Sequence, residues 1–529
     1  MCLGLNIQIQ PWNSSNAFVI LPKFWWLQFG GLQPKARTSV SILNCNYTST
    51  KDKAMARSTG PAGVTGDTPP VHRIDLSLPP AKRYVELAKS YRDKMRSLTG
   101  LFDELVESVH PGINVIWVKR AARLFLRKLY THEETEEIKG ISKATGIDLY
   151  LLVSLNVVLD LLMGCTSGGA RCRDAQDSSS KMLHFRTLDW GMDVLRELIV
   201  QLEFVRSPET EKVLATSITY VGFVGVLTGV RRNLSVSLNF RPNHDMSKRF
   251  VNLKFYANRL LVLLGIRRSV SSLLRQYLLP PNPARWNFLT RVWSTAAQPW
   301  HLQSLSAITA ALPQTPTTAA YIILSDGATT TVLEKDYRSA VTRSSSSFIV
   351  ATNVDLAMES LNSTNSTTRA STSEPEECQL TGLEGLQDLI EDSIERKACM
   401  QSFWDARTRQ VHRNSRNRVG KGQRLPKETP ETSGRRDPLQ RTRSSRASGC
   451  QDITSSAPPN TSQNRELSPE TEQTTFQDQE VTAAPLEVME WTSTHPITNE
   501  MTHFATVMDP AEGRVVWIQR YLHPLPSQG

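Results

Sequence analysis

The chain has 529 residues, of which 39% are hydrophobic, and a formal net charge of +10 at pH 7. This length exceeds what one compact domain usually needs, and the low hydrophobic share predicts that part of the chain forms no packed core. Between positions 407 and 446, thirteen Arg and Lys residues stand against three acidic ones, so the net charge belongs to one polar tract. No zinc-ligand spacing or leucine zipper accompanies that tract, which argues against a DNA-reading protein and for a solvated segment without a nucleic-acid partner.

From its amino terminus the chain begins with residues 1–70, which are rich in Ser, Thr, Asn and Gly and are predicted to be a leader or disordered. The apolar stretch 17–32 contains Pro22 and Lys23 and follows no basic segment, so it does not make a clear signal peptide. Glycosylation sequons only permit a secretory route and a glycoprotein; they lie at Asn13, Asn46, Asn233, Asn362, Asn365 and Asn460.

Residues 71–164 are predicted to form a helical segment. From Arg83 to Val106 the apolar residues recur at gaps of three and four, the pattern of an amphipathic helix. Further helices are predicted at about 115–130, 133–145 and 149–163, the second of them capped by Thr131. The last is too short and too polar for a bilayer span and is interpreted as a buried helix.

After Cys165 alternating apolar residues predict strands, so we expect an α+β class with a mainly antiparallel, layered core. The core is predicted to span 165–405, with 488–525 as its closing hairpin. An apolar helix with basic residues is expected over 258–279. We favour a core helix whose arginines extend to solvent over an interfacial helix that contacts a membrane. Residues 409–487 are predicted to be a disordered insertion, basic first and then acidic. The predicted strands are 181–188, 198–204, 213–221, 234–238, 319–325, 329–335, 347–352, 503–508 and 514–521.

Cys165 is the candidate nucleophile. If the bond between Gly164 and Cys165 is cut, residue 165 carries a thiol and a free α-amine that can act as its base. Arg186 on the next strand could lower the thiol pKa, and Asp189 could orient the α-ammonium. On these residues alone two alternatives stay open, because a lone cysteine is commonly a small buried hydrophobe and an Arg and Asp three apart are commonly a surface pair. The seven cysteines form no CxxC pair, which indicates neither a disulfide framework nor a metal site, and no cofactor is expected.

Further segments occur in a fixed order around these residues. YVGFVGVLTG lies at 220–229, LNFR at 238–241 and ATNVD at 351–355, with an opening segment at 72–84 and a closing one from 499 to 520. Together with GCTS and RTLDWG they resemble the family of acid ceramidase and N-acylethanolamine acid amidase, which are N-terminal-nucleophile cysteine hydrolases of the cholylglycine-hydrolase-like group. The chain departs from that pattern at Phe240, where the family has a Glu that helps arrange the site. It departs again at Gly168-Gly169, where the family has an apolar pair.

The resemblance implies a four-layer αββα sandwich and a proenzyme cut before Cys165 into α and β fragments, held non-covalently or by a disulfide. It matches the family's nucleophile to Cys165, its thiol-flanking Arg to Arg186 and its amine-orienting Asp to Asp189. The oxyanion-hole Asn matches Asn353, and a second Arg matches Arg396. Candidates for the acyl groove are Tyr220, Gly222, Asn239, Phe240, Leu260 and Leu264.

The function that the resemblance implies is hydrolysis of the amide bond of a long-chain N-acyl lipid, ceramide first. An N-acylethanolamine or another N-acyl amine is the alternative substrate, and a non-catalytic lipid-binding relative is the alternative class. The implied partners are the lipid amide, a transient membrane surface and the protein's own fragments. The implied compartment is the lysosome or vacuole, or the secretory route.

Overall fold

The computed structural model describes residues 66–100, 102–103, 114–158, 164–174, 179–207, 212–242, 249–279, 302–356, 384–422 and 480–526. These residues fold into thirteen strands with helices before, between and after them, an α+β class as expected. The structure divides into two units, one made of Met1–Thr408 with Val481–Gly529 and the other of Arg409–Glu480. In the second unit the described residues are 409–422, which are helical, and Glu480.

Eleven α-helices and two 3₁₀ helices lie within the described ranges. The α-helices are α1 (Pro80–Arg83), α2 (Val85–Ser90), α3 (Arg92–Arg96), α4 (Val115–Phe125), α5 (His132–Thr145), α6 (Leu149–Val158), α7 (Arg249–Leu263), α8 (Val270–Leu278), α9 (Leu305–Ala311), α10 (Glu384–Gly422) and α11 (Pro485–Ser493). The 3₁₀ helices are Asp193–Leu198 and Leu312–Gln314. None of the described helices combines the length and the apolar content of a bilayer-spanning helix.

The strands form two sheets. They are β1 (Val71–Asp75), β2 (Gly164–Cys172), β3 (Lys181–Asp189), β4 (Ile199–Val205), β5 (Ala215–Tyr220), β6 (Thr228–Arg231), β7 (Leu234–Phe240), β8 (Ala320–Ser325), β9 (Thr330–Lys335), β10 (Ala340–Ser345), β11 (Phe348–Ala351), β12 (Thr502–Asp509) and β13 (Arg514–Arg520). One sheet has the order β1-β4-β5-β6-β7-β8-β9-β10 and the other β11-β2-β3-β12-β13. All neighbours pair antiparallel except β1 and β4, which pair in parallel.

Each sheet packs apolar residues against helices, and the two sheets pack against each other. Ile138 and Leu152 of the helices before Cys165 share one buried cluster with Ile199 and other residues of the eight-stranded sheet. Phe403 and Trp491, from α10 and α11, stack at 6.0 Å and belong to a second cluster with Phe185 of β3. A third cluster joins both sheets; it contains Tyr321, Ile323, Val332, Ile349 and Ala351.

The glycine pair at 168–169 has a steric reason. A Cβ on Gly169 would lie 2.0 Å from the Thr330 hydroxyl on the eight-stranded sheet. A Cβ on Gly168 would lie 2.1 Å from the backbone oxygen of Ile349 on β11. Because real Cβ atoms do not approach other atoms this closely, β2 can lie so near its neighbours only with glycine at both positions.

Two predicted helices are interrupted. The helix predicted from Arg83 to Val106 is divided into short helices, because the backbone leaves the helical range at Tyr84 (φ −103°, ψ 3°) and Tyr91 (φ −106°, ψ 10°). The apolar period survives the breaks, so Leu87 and Met95 are still buried. The segment predicted as one helix over 258–279 breaks at Gly265, whose φ is 63°.

The polar tract predicted to be disordered from residue 409 begins as helix, since α10 continues to Gly422, and α11 begins within its last residues. Arg, Gln and Lys are good helix formers, so strong polarity does not by itself prevent a helix. The predicted leader up to residue 65 and residues 423–479 of the predicted insertion lie outside the described residues. The predicted strands and the Thr131 cap of α5 are confirmed; the Thr131 hydroxyl accepts the Glu134 N–H at 3.1 Å.

Candidate active site

Cys165 is the second residue of β2 and is fully buried. β2 pairs antiparallel with β3, and Cys165 stands opposite Leu188 while Ser167 stands opposite Arg186. Successive side chains of a strand point to opposite faces, so Cys165 and Ser167 share the face toward the eight-stranded sheet. The hairpin therefore brings the guanidinium of Arg186 to the thiol, as the sequence predicts.

The thiol lies in a charged, hydrogen-bonded cluster between the two sheets. Arg186 Nη2 donates to Cys165 Sγ at 3.3 Å, and Nη1 donates to Asn239 Oδ1 at 3.0 Å and to Ser167 Oγ at 3.3 Å. Ser167 Oγ in turn donates to Asn239 Oδ1 at 2.7 Å. Burial raises the pKa of the Cys165 thiol to about 11, and the Arg186 charge acts against that rise. In the uncut chain the thiol is therefore protonated at neutral pH and needs a base.

The backbone nitrogen of Cys165 has its own partner. It donates to Oδ1 of Asn353 at 2.8 Å, and Asn353 Nδ2 donates to the Phe240 carbonyl at 2.7 Å. Asn353 is fully buried in the segment that follows β11. Its acceptor oxygen therefore already lies at the atom that becomes the α-amine when the preceding bond is cut.

Asp189 lies on the opposite face of β3 from Arg186. Its Oδ2 accepts from Arg396 Nη1 at 2.8 Å, and its Oδ1 accepts from the Thr502 hydroxyl at 2.7 Å. Arg396 also donates to Thr166 Oγ1 at 3.1 Å. Burial raises the pKa of the Asp189 carboxyl, with Arg396 and Thr502 acting against the rise. The surface-pair alternative for Arg186 and Asp189 is wrong, because both are buried and each has other partners.

The structure thus joins all five residues that the resemblance matches to catalytic positions. Arg186 contacts the sulfur of Cys165 and Asn353 its nitrogen, while Arg396 links Asp189 to Asn353 through a 3.4 Å contact from its Nη2 to Asn353 Oδ1. The two faces of β2 and β3 and the helix α10 each contribute to one cluster.

The six groove candidates lie on several different elements. Asn239 and Phe240 are buried, Asn239 against Arg186 and Phe240 through its carbonyl against Asn353, so both support the cluster directly. The Tyr220 hydroxyl lies 2.8 Å from His503 Nδ1, beside the ring of Trp190. The other three are not part of the catalytic cluster. Gly222 is a turn residue with φ 96°, Leu260 is 37% exposed on α7, and Leu264 follows α7.

Thr166, Ser167 and Thr502 belong to the cluster, although none of them is among the predicted catalytic or groove residues. Each is a small polar residue within a strand, and a hydroxyl in such a strand carries no pattern of its own. Strand register is the one signal that could have identified Thr502. This residue stands directly opposite Asp189 in the pairing of β12 with β3.

A second buried polar cluster lies nearer the start of β3, at His184. His184 bonds Ser235 Oγ through Nδ1 at 2.7 Å and Ser237 Oγ through Nε2 at 2.8 Å, which links the two sheets. Burial lowers the pKa of His184 to about 3, so this histidine is neutral. Among the described residues no group of His, Cys, Asp and Glu side chains is arranged to hold a metal ion.

Comparison with known proteins finds similarity along part of the chain. The family model of the beta subunit of N-acylethanolamine-hydrolyzing acid amidase matches residues 67–130. Acid ceramidase of Mus musculus is 30% identical over 197 residues, 34% of this chain and 48% of that protein. N-acylethanolamine-hydrolyzing acid amidase of Caenorhabditis elegans is 29% identical over 188 residues, 33% of this chain and 49% of that protein. The matched part thus spans about half the length of these relatives.

Among solved structures, the Caenorhabditis elegans N-acylethanolamine-hydrolyzing acid amidase ortholog aligns with 66% of this chain and 93% of its own. The aligned residues are 16% identical, and the TM-score is 0.33.

Proposed function

We propose that the chain is a member of the family of acid ceramidase and N-acylethanolamine-hydrolyzing acid amidase, and that it is an amidohydrolase whose nucleophile is an N-terminal Cys165. Its similarity to relatives of both names supports the family. The observation that carries the proposal is that one residue presents its sulfur to Arg186 at 3.3 Å and its nitrogen to Asn353 at 2.8 Å. A nucleophile that is activated by its own α-amine needs both atoms to be held separately.

The nucleophile forms by self-cleavage. The Cys165 sulfur attacks the Gly164 carbonyl carbon, the carbon–nitrogen bond breaks, and the nitrogen takes up the thiol proton to leave a thioester. Water then hydrolyses the thioester, which gives a Gly164 carboxylate and a free amine and thiol on Cys165. The residues before the cut then form a fragment that contains 71–164, with β1 and α1 to α6, and those after it form a fragment that contains 165–405, the insertion 409–487 and 488–525.

Hydrolysis of the substrate follows the same chemistry. The α-amine takes the thiol proton, the thiolate attacks the amide carbonyl, and the amine passes its proton to the leaving nitrogen. Water releases the acyl group from the thioester. Arg186 favours the thiolate because it places a positive charge beside the sulfur. Asn353 holds the amine through Oδ1, and the oxyanion role that the resemblance assigns to it would use the second N–H of its amide, since the first bonds Phe240.

The proposed substrate is a lipid amide. We favour N-acyl sphingosine over N-acylethanolamine as the substrate. The similarity to relatives named for both activities supports an N-acyl amide and does not distinguish between the two amines. Each buried methylene contributes about 0.8 kcal/mol, so the acyl chain supplies most of the binding energy. The proposal includes a four-layer αββα sandwich of two fragments and a lysosomal, vacuolar or secreted location. Helices packed on both sheets and a family model named for a subunit support the layers and the fragments.

The test is the covalent state of the purified protein. Wild-type chain should separate into two fragments on a denaturing gel, and sequencing of the second should begin at Cys165. Cys165→Ala should stay whole, and only the cut protein should hydrolyse a panel of N-acyl sphingosine and N-acylethanolamine substrates. A split in the alanine variant would mean that another protease cuts the chain. A cut protein that is inactive on every acyl amide would identify a lipid-binding relative instead.

A further inference from the structure

Three residues outside the catalytic cluster hold the segment that carries Asn353. Arg241 Nε donates to Asp355 Oδ1 at 2.7 Å and Nη2 donates to Oδ2 at 2.8 Å, a bidentate ion pair. The Tyr321 hydroxyl donates to the same Oδ1 at 2.7 Å. The side chains of Arg241 and Asp355 are only 11% and 14% exposed, so water screens the pair weakly.

This ion pair lies next to the hydrogen bond between Asn353 and the Phe240 carbonyl. Arg241 directly follows Phe240, whose carbonyl accepts from Asn353, and Asp355 lies two residues after Asn353. The strand end at 240–241 and the segment 353–355 are therefore joined twice, by the Asn353 amide and by the ion pair. The amide of Asn353 reaches the Cys165 nitrogen only if both segments stay in this register.

Phe240 explains why the second joint is needed. A phenylalanine ring offers no hydrogen bond with which to arrange polar neighbours, so at position 240 only the backbone carbonyl is available to Asn353. We propose that Arg241, Asp355 and Tyr321 form a clamp that positions Asn353 against the nitrogen of Cys165. The clamp acts through Asn353 and is a positioning device; its consequence for catalysis rests on the proposed function.

Hydrogen exchange tests the clamp without any activity. In a Cys165→Ala chain the residue-165 N–H donates to Asn353 as before, and its exchange rate can be resolved by fragmentation mass spectrometry. Arg241→Met and Asp355→Asn should each speed that exchange at least tenfold, and Tyr321→Phe, which keeps the ion pair, by about two- to fivefold. The matched control is Lys181→Met, which removes a 2.7 Å ion pair with Asp509 at the far end of β3 and should leave residue 165 unchanged.

The kinetic consequence uses the same substitutions in the chain with Cys165. Arg241→Met should slow self-cleavage about tenfold or more, Arg241→Lys should recover part of the rate, and Lys181→Met should cut at the wild-type rate. In the cut enzyme the clamp variants should lower kcat with little change in KM, because the clamp does not bind the acyl chain.

Two results would overturn the inference: unchanged protection of residue 165 in the clamp variants, or faster exchange with normal cleavage and kcat. Should Arg241→Met fail to fold, Tyr321→Phe decides the exchange result alone. If the wild-type chain never cleaves itself, the proposed function fails, and the exchange data still decide whether the clamp exists.

Discussion

His184 makes the stability of this protein depend on pH, and the size of the effect follows from its surroundings. Its ring is buried between Ser235 and Ser237, and burial, aided by the nearby charge of Arg186, lowers its pKa from 6.5 to about 3. Below pH 6.5 the unfolded chain binds a proton at this residue that the folded chain does not bind until about pH 3. Stability is therefore complete above pH 6.5 and falls as the pH decreases, by about 2 kcal/mol between pH 7.5 and 5 for this one group.

The measurement compares His184→Gln with its parent by urea unfolding at pH 7.5, 6 and 5, in a Cys165→Ala background so that every chain is whole. Glutamine can bond one of the two serines, so the variant should be about 1 kcal/mol less stable at pH 7.5. The difference should change by about 2 kcal/mol between pH 7.5 and 5, because only the parent carries the histidine penalty, so that the variant becomes about 1 kcal/mol more stable than its parent at pH 5. His523→Gln, an exposed position, controls for the substitution itself. A difference that stays constant from pH 7.5 to 5 would refute the neutral, buried His184.

Two further predictions concern buried ion pairs. Arg396→Met leaves the Asp189 carboxylate buried without its cation and should lower the free energy of unfolding in urea by about 3–5 kcal/mol. The control is Asp392→Asn, whose side chain is 43% exposed and which should cost under about 1 kcal/mol. Equal losses in the two variants would contradict the role of burial. Glu137→Gln removes the carboxylate shared by Arg83 and Arg275, which lie on opposite sides of the proposed cut, so the cut fragments should separate at lower urea in size-exclusion chromatography. Glu136→Gln, whose side chain is 29% exposed and pairs with Lys139, should behave as wild type. Co-elution up to the same urea concentration in both variants would show that other contacts hold the fragments.

The strands and the pairing of Cys165 with Arg186 could be predicted from the sequence because both depend on local sequence pattern. Alternation of apolar residues places β3 and β4 correctly, and a cysteine one hairpin away from Arg186 is a local arrangement. Helix breaks are not visible, because a turn that ends at Tyr84 or Tyr91 keeps its apolar residues on the buried face.

The supporting residues of the site depend instead on how distant segments pack. Arg396 meets Asp189 because α10 packs on the five-stranded sheet, and 207 positions separate the two residues. Motif resemblance suggested Arg396, but no spacing could have done so. The same holds for the buried charges: Arg83, Glu137 and Arg275 look like solvated residues in the sequence, and only the packing of α5 against α8 turns them into a buried network.

The position of β12 in the five-stranded sheet determines when the site can form. β12 lies between β3 and β13, and its Thr502 supports Asp189 from 313 residues further along the chain. Cys165, Arg186 and Asp189 are synthesised before β12, which follows Asp189 by 313 residues, so the support of Asp189 by Thr502 forms only after β12 has been made. The order of synthesis therefore limits when the cluster can form: it is complete only after the hairpin of β12 and β13 has joined the five-stranded sheet.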